Sequence, residues 1–416
     1  MISDVANRRP RWVRAWVYQE VVLARGVKVL YGDHSFQWRD IERVAMAVYM
    51  LEYHHGIGGY RNNICKRVLG WDSFAKMMHE QEEMRKNGSV CKFLNFMSQV
   101  GSDFCATDPR DMVFAFAGLL NEEGIIFRPD YSRTACQVES DATRAIIDAT
   151  ESLNILALVR GYKSVDFPDL PSWSPCWNQT MAVPMPVYSL HSPQAIHASG
   201  SFKHRDINID STLDNVYFLV RGRVIDSVGW VRYFHRFESH YFMDDLHKFL
   251  DIGGVIGEPS AIAKSPVSRE RILRATIADC HCEYIRSNVD ETGYLSEAYI
   301  SKLLTVYDDY PQLKTVYDAS NDKKAANLDL YNLQQAGLVT QRQRLFLSVG
   351  NKVGLAPVGT RHGDQIYILH GAKAPVVLRS NEDGTWMPIG MCYLEKCMLG
   401  EAMTWAEEEA NTFILS

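Results

Sequence analysis

The 416-residue sequence lacks several features that would assign it to a special class of protein. It has no uninterrupted apolar run of about 18 residues, so we expect no transmembrane helix. The segment Met1–Arg14 is polar and basic without an apolar core, which argues against a signal peptide. No internal repeat or low-complexity tract is present. With 46% hydrophobic and 23% charged residues, the chain has the composition of an ordinary globular protein of two to three domains.

An excess of positive charge is also absent. Lys and Arg together number 44 against 50 Asp and Glu, which gives a net charge of −6, so we expect no nucleic-acid partner. The nine cysteines are an odd number scattered along the chain. This pattern favours reduced thiols over a disulfide framework and predicts a cytoplasmic protein.

Established catalytic motifs are missing as well. The sequence contains no Gly-x-Ser-x-Gly elbow, no kinase motif set and no Walker A loop. Cys280-His281-Cys282 resembles half of a zinc site, but no second cluster follows at a suitable spacing, so we expect no metal. Cys105 has no recognisable His partner. Nucleophilic catalysis therefore has no support from the sequence.

An amphipathic helix is predicted near the N-terminus. Trp12, Trp16, Glu20 and Ala24 are spaced four apart and would share one helical face. A carboxylate on this apolar face is costly to bury without a partner. Glu20 would therefore either form a buried ion pair or cap backbone amides, or have a raised pKa that is useful in catalysis or substrate binding. The spacing leaves both interpretations open.

Local signals predict several further elements. A strand is expected over Val27–Tyr31, and a helix should begin at Asp108 and Pro109, with the aspartate as its N-cap. Ser132 or Thr134 could cap the following helix. Residues 236–340 have helical patterns. Short apolar segments separated by Gly, Asp and Asn turns predict that about Leu345 to Met403 forms one small antiparallel β unit, a barrel or sandwich.

The most specific signal in the sequence is a set of short motifs in a fixed order. They comprise, in order, Arg14, Trp16, Gln19 and Glu20; Asp108, Pro109, Arg110 and Asp111; Pro129, Asp130 and Tyr131; Pro171 and Trp173; Gly363-Asp364; and Pro375 to Arg379. In this order they resemble the motifs of fungal heterokaryon-incompatibility (HET) domain proteins. Family members usually begin with Ser-Tyr-x-Trp-Gly and Ile-Asp-x-x-Cys-Ile-Asn-Gln segments, which do not occur in this sequence. We therefore expect a chain that lacks the N-terminal part of the domain, as a truncated product, an incomplete gene model or a degenerate paralogue.

The resemblance implies an α+β fold. HET domains are similar to Toll/interleukin-receptor (TIR) domains, so the expected architecture is a truncated TIR-like α/β remnant with helices at the N-terminus, followed by a β-rich C-terminal region. Residues 1–175 would hold the C-terminal part of the HET domain, further helices and a Pro/Trp-rich crossing segment. Residues 176–340 would form a mixed β and helical middle region. Residues 341–416 would form an antiparallel β module.

The resemblance also implies a role in fungal non-self recognition or regulated cell death through protein interaction. A strand Val27–Tyr31 that lacks a neighbour would favour self-association. One alternative is a residual TIR-like NAD hydrolase, with Glu20 as the catalytic residue and Trp16 supporting it on the same face. Because the elements that would hold NAD are missing, we expect no NAD cleavage and no cofactor. A second alternative is an accessory ligand-binding protein of a fungal gene cluster.

Overall fold

The structure is a computed structural model of the chain that divides into two compact units. The first consists of Met1–Ala145, Trp177–Met181 and Val316–Ala326, and the second of Ile146–Cys176, Ala182–Thr315 and Asn327–Ser416. The structure describes residues 14–41, 43–44, 104–122, 124–159, 161–162, 164–177, 196–204, 217–231, 268–277, 288–320, 327–330, 343–404 and 409–416. Trp12 and the Cys280-His281-Cys282 cluster lie outside these residues.

The N-terminal part of the chain is mainly helical. Its elements are α1 (Ala15–Val22), β1 (Lys28–Tyr31), β2 (His34–Gln37), α2 (Asp111–Phe114), α3 (Ala117–Glu122) and α4 (Ala135–Thr150). The strand predicted at Val27–Tyr31 is confirmed, and it pairs antiparallel with β2 through a turn at Gly32, whose φ is 55°. Within the described part of the first unit this hairpin is the only sheet. The TIR-like α/β arrangement therefore stays a prediction.

Helix α1 buries a different face from the predicted one. Tyr18 is fully buried, with its ring centroid 5.3 Å from that of Phe104 and 5.7 Å from that of Phe116. The other buried side chains of the helix are Ala15, Val17, Val21 and Val22. Trp16 is only half-buried and Glu20 is exposed. The predicted burial of Glu20 is thus wrong. The face that the helix actually buries carries only apolar side chains and Tyr18, so no carboxylate has to be removed from water.

Helix α4 begins with a reciprocal cap. The Gln137 backbone N–H donates to Thr134 Oγ1 at 3.3 Å, and the Thr134 backbone N–H donates to Gln137 Oε1 at 3.0 Å. This arrangement satisfies two amides that a helix start leaves without helical partners. Of the two predicted caps, Thr134 is confirmed. Ser132 instead donates its hydroxyl to Asp130 in the preceding turn.

The C-terminal part of the chain combines helices with a large sheet. Its elements are a 3₁₀ helix (Asn154–Leu158), β3 (Phe218–Val231), α5 (Arg269–Thr276), α6 (Glu297–Asp308), α7 (Tyr310–Ala319), β4 (Gln343–Ser348), β5 (Val353–Pro357), β6 (Gln365–Leu369), β7 (Val376–Ser380), β8 (Trp386–Met391), β9 (Tyr393–Leu394) and β10 (Asn411–Leu415). The mixture of helices and a β-rich C-terminal region agrees with the α+β prediction.

The strands close into a barrel. Strand β3 pairs with β4 and β6, β4 with β5, β5 with β9, β6 with β7, and β7 with β8, all antiparallel. Only Cys392 separates β8 from β9, so these two act as one side of the closed ring. Strand β10 adds to β3 antiparallel and to β8 parallel, the latter at Leu415 and Trp386.

The predicted β unit is confirmed as a barrel, but its bounds are corrected. Strands β3 and β10 belong to the same sheet although they lie outside Leu345–Met403, and the contact of β10 with β8 is not antiparallel. The sheet also spans the predicted segments 176–340 and 341–416. Long-range pairing decides which strands join a sheet, and β3 carries no local signal of its distant partners.

Each side of the barrel contributes a buried apolar side chain to one core. These side chains are Val228, Phe346, Ala356, Ile366, Val377, Ile389 and Leu394, joined by Cys392 and Cys397. Full burial of a Val, Leu, Ile or Phe side chain stabilises a fold by roughly 1.5–3 kcal/mol. Gly354 is required at its position because a Cβ there would lie 2.1 Å from Cζ of Phe346. Most side chains of β4 to β9 are buried, and those that point inward fill the barrel.

Candidate functional site

The second motif forms the turn that begins helix α2. Asp108 Oδ1 accepts the Arg110 backbone N–H at 3.0 Å, and Pro109 O accepts the Met112 N–H at 3.1 Å. The helix itself starts at Asp111. The predicted N-cap role of Asp108 is therefore wrong: Arg110 is the N-cap, without a capping side-chain hydrogen bond, and Asp108 and Pro109 form the turn that precedes the helix.

Arg110 joins the second motif to the third. Its guanidinium donates from Nε and Nη2 to the Asp108 carboxylate at 2.9 and 2.6 Å, and from Nη1 to Tyr131 O at 2.6 Å. It also lies over the Tyr131 ring, 5.1 Å from its centroid. Tyr131 Oη donates to Asp111 Oδ1 at 2.6 Å. We call Asp108, Arg110, Asp111 and Tyr131 the Arg110 cluster.

The third motif is shaped by its own turn and by an aromatic contact. Asp130 Oδ1 accepts the Ser132 backbone N–H at 2.9 Å, which fixes the loop after the exposed Pro129. The Tyr131 ring packs edge-on against Phe114 of α2, with centroids 4.8 Å apart. These contacts hold Tyr131 beside α2 although half of its surface, 51%, is exposed.

The electrostatics of the Arg110 cluster favour a fixed charge pattern. The hydrogen bond from Arg110 lowers the pKa of the Asp108 carboxyl, and the hydrogen bond to Asp111, aided by burial, raises the pKa of Tyr131 to about 12. A catalytic acid or base works best with a pKa near the working pH. The cluster is thus better suited to holding two motifs together than to transferring protons.

The first motif lies beside the segment that leads into the second. Arg14 forms a parallel bridge with Cys105, and the Ala15 N–H donates to Cys105 O at 3.1 Å. Gln19 packs on α3, where a Cβ at Gly118 would lie 2.7 Å from Gln19 Oε1. The first unit therefore brings Arg14 and Gln19 close to the chain around the second motif, whereas Glu20 faces solvent.

The fourth motif has a structural position in the second unit. Trp173 is fully buried, with its ring centroid 5.2 Å from that of Phe218 at the start of β3. Pro171 O accepts the Ser174 N–H at 3.0 Å, and the Ser172 N–H donates to Ser416 O at 3.2 Å. This motif thus anchors both β3 and the end of β10 rather than contributing a reactive group.

Two C-terminal motif residues form an ion pair that was not predicted from the sequence. Arg379 Nε and Nη2 donate to the two oxygens of Asp364, each at 2.7 Å. The Asp364 carboxylate also accepts the Arg361 backbone N–H at 2.7 Å, and Arg379 donates to Gly359 O at 2.8 Å. The pair links the turn before β6 to β7. Its only sequence signal was the presence of both residues in family-like motifs.

The described ranges contain neither a metal-ligating cluster nor a membrane-spanning helix. Within them, no group of three or more His, Cys, Asp and Glu is placed to hold a metal ion. No described helix combines the length and apolar character needed to cross a bilayer.

Comparison with known proteins agrees with this barrel. The sequence model of the Het-6 β-barrel domain matches residues 238–415. The matched part of the chain is therefore similar to the Het-6 β-barrel domain in sequence and forms a barrel in the structure. The structure adds β3 (Phe218–Val231) to this barrel, although that strand lies before the matched residues.

A curated heterokaryon incompatibility protein is similar to a larger part of the chain. The chain is 23% identical to "Heterokaryon incompatibility protein 6, OR allele" of Neurospora crassa over 348 residues, which cover 73% of this chain and 50% of the relative. The chain thus spans about half the length of the curated relative that it matches. No solved structure matches the chain.

Proposed function

We propose that this chain acts in fungal non-self recognition or regulated cell death through contact with another protein. The observation that carries the proposal is the closed β-barrel, which overlaps the Het-6 domain match over residues 238–415. The similarity to a heterokaryon incompatibility protein adds support. The motif residues of both units serve mainly as internal anchors, which suits a rigid scaffold that presents loops.

One exposed loop is the best candidate for the contact surface. Tyr162 and Val165 lie three residues apart, and 56% and 94% of their surfaces are exposed. Large apolar side chains exposed on one loop favour binding of a protein partner, and loops often carry binding residues. We therefore assign the partner contact to this loop.

The proposed contact takes place in the cytoplasm. The cysteines that the structure describes are free thiols: Cys105, Cys136, Cys176, Cys392 and Cys397. Free thiols suit a reducing compartment. The alternative of NAD hydrolysis gains no support from the geometry, because Glu20 lies on an exposed helix surface.

The proposal can be tested by inducible expression in a filamentous fungus. Transformants would be fused with a panel of wild isolates, and uptake of a membrane-impermeant dye by the fused cells would be counted. We expect dye uptake with the native chain in some pairings, and its loss with Tyr162→Ser/Val165→Ser. Val358→Ser changes another exposed valine and serves as the control that keeps the response. Dye uptake equal to that of an empty vector in every pairing would contradict the proposed function.

A further inference from the structure

A lysine and a buried cysteine meet where the barrel closes. Lys352 Nζ lies 2.9 Å from Cys397 Sγ. Lys352 precedes β5, and Cys397 lies in the turn after β9. These two strands are joined by only two residue pairs, Gly354 with Leu394 and Leu355 with Tyr393, which makes theirs the shortest ladder of the closed ring. The contact therefore bridges the shortest ladder of the barrel.

The two groups differ in their exposure to solvent. Cys397 is fully buried in the barrel core, whereas Lys352 is only half-buried and reaches the thiol from the surface side. Burial raises the pKa of the Cys397 thiol, but the hydrogen bond and positive charge of Lys352 oppose that shift. The net pKa of the thiol stays above its ordinary value, so the contribution of Lys352 is a positive charge and a proton donor placed beside the sulfur, where the thiolate that reacts with peroxide forms.

We propose that Lys352 and Cys397 form a reversible S–N cross-link when the protein meets hydrogen peroxide. In the first step the Cys397 thiolate attacks one peroxide oxygen, so that an S–O bond forms and the O–O bond breaks. The departing hydroxide takes a proton from the Lys352 ammonium and leaves as water. The products are a sulfenic acid and a neutral amine.

In the second step the Lys352 amine attacks the Cys397 sulfur. The S–N bond forms, the S–O bond breaks, and the hydroxide takes a proton from nitrogen and leaves as a second water. Overall, the sulfur is oxidised by two electrons and one hydrogen peroxide is reduced to two waters. A thiol such as dithiothreitol reverses the link by attacking the same sulfur and releasing the amine.

The link would change how the barrel opens. It would join β5 to the end of β9 covalently, across a ladder that otherwise depends on few hydrogen bonds. A cross-link limits the freedom of the unfolded chain and so favours the folded state. We therefore infer that the oxidised barrel unfolds at a higher urea concentration than the reduced one. Oxidative stress would thus raise the stability of the barrel.

Peptide mapping of the full chain tests the link. The folded protein would be treated with hydrogen peroxide, its remaining thiols alkylated in denaturant, and its digest analysed by mass spectrometry. We expect a joined peptide pair containing Lys352 and Cys397, two hydrogens lighter than the sum of its parts and lost after dithiothreitol. Lys352→Arg keeps the positive charge and should abolish the pair, while Cys392→Ala removes the neighbouring thiol and should retain it.

Other outcomes would overturn the proposal. A disulfide between Cys392 and Cys397 would show that sulfur, not nitrogen, resolves the sulfenic acid. Recovery of Cys397 only as sulfinic or sulfonic acid, or as a fully alkylated thiol, would show that Lys352 does not react. A cross-link whose formation leaves the urea midpoint unchanged would contradict the inferred effect on barrel opening.

Discussion

Arg271 of α5 and Glu395, the residue after β9, form a two-pronged ion pair that ties a helix to the barrel. Arg271 Nε and Nη2 donate to the two carboxylate oxygens at 2.9 and 2.7 Å. Arg271 also donates to Asn351 O at 2.5 Å, and the Val353 N–H donates to Glu395 Oε2 at 3.1 Å. One guanidinium therefore holds together α5, the β4–β5 turn and the end of β9.

The first prediction concerns the pH dependence of this pair. Burial alone would raise the pKa of Glu395, but the hydrogen bonds from Arg271 and Val353 outweigh it and hold the pKa below the ordinary value of 4.5. A lowered pKa stabilises the fold above pH 4.5, and this contribution is lost as the pH falls through the folded-state pKa. We expect Arg271→Met to lower the free energy of unfolding at pH 7 by about 1–3 kcal/mol, and by less in acid.

Urea unfolding of both proteins between pH 3 and pH 7 measures this difference. Arg223→Met is the control, because Arg223 and Glu409 form an exposed pair with 43% and 57% of their side chains in solvent. Such pairs contribute about 0–1 kcal/mol. A destabilisation by Arg271→Met that stays constant down to pH 3 would show that the charge of Glu395 is not involved.

The second prediction concerns Asp364 and Arg379. Only 3% of the Asp364 side chain is exposed, so removal of Arg379 leaves a buried carboxylate without its cation. We expect Arg379→Met to cost on the order of 3–5 kcal/mol in urea unfolding at pH 7. The double variant Asp364→Leu/Arg379→Met removes both charges and should be more stable than Arg379→Met alone. A double variant that is the less stable of the two would contradict this explanation.

Local signals in the sequence were sufficient for much of the secondary structure. The strands from β4 to β8 have alternating or continuous apolar patterns and are separated by turns such as Asn381 to Gly384, where Gly384 has a φ of 83°. The Thr134 cap was predictable because both partners lie within one helical turn. A barrel or sandwich followed from the number and spacing of the strands.

Features that depend on distant residues could not be predicted. The periodicity of α1 predicted a helix, but Tyr18 is buried because Phe104 and Phe116 pack on it. Strand β3 joins the barrel through residues far along the chain. Likewise, Arg110 contacts Tyr131 across two separate motifs. Each of these pairings is set by the folded chain rather than by local sequence preference.

The third prediction concerns the titration of Tyr131. Its hydrogen bond to Asp111 raises its pKa to about 12 from an ordinary 10.0. The stabilising effect of the neutral phenol is therefore complete below pH 10 and is lost as the pH rises through about 12. We expect Asp111→Asn to move the Tyr131 midpoint towards 10, as measured by the ultraviolet difference between each protein and its Tyr131→Phe variant.

Asp130→Asn is the matched control for this titration. Asp130 lies next to Tyr131 in the chain, but its carboxylate binds the Ser132 backbone N–H and hydroxyl. The control should leave the Tyr131 midpoint near its native position. An equal shift in both variants would indicate a general loss of negative charge rather than a specific hydrogen bond.

The fourth prediction concerns Glu20. Its carboxylate is exposed on α1, and electrostatic stabilisation of a transition state requires donors and charges fixed in a site that excludes water. We therefore expect the purified chain to leave NAD intact, as followed by chromatography of the nucleotide. Glu20→Ala should change the free energy of unfolding by less than about 0.5 kcal/mol, whereas Val21→Ala, on the buried face, should cost about 2 kcal/mol. NAD loss that disappears in Glu20→Ala at unchanged stability would instead establish Glu20 as a catalytic residue.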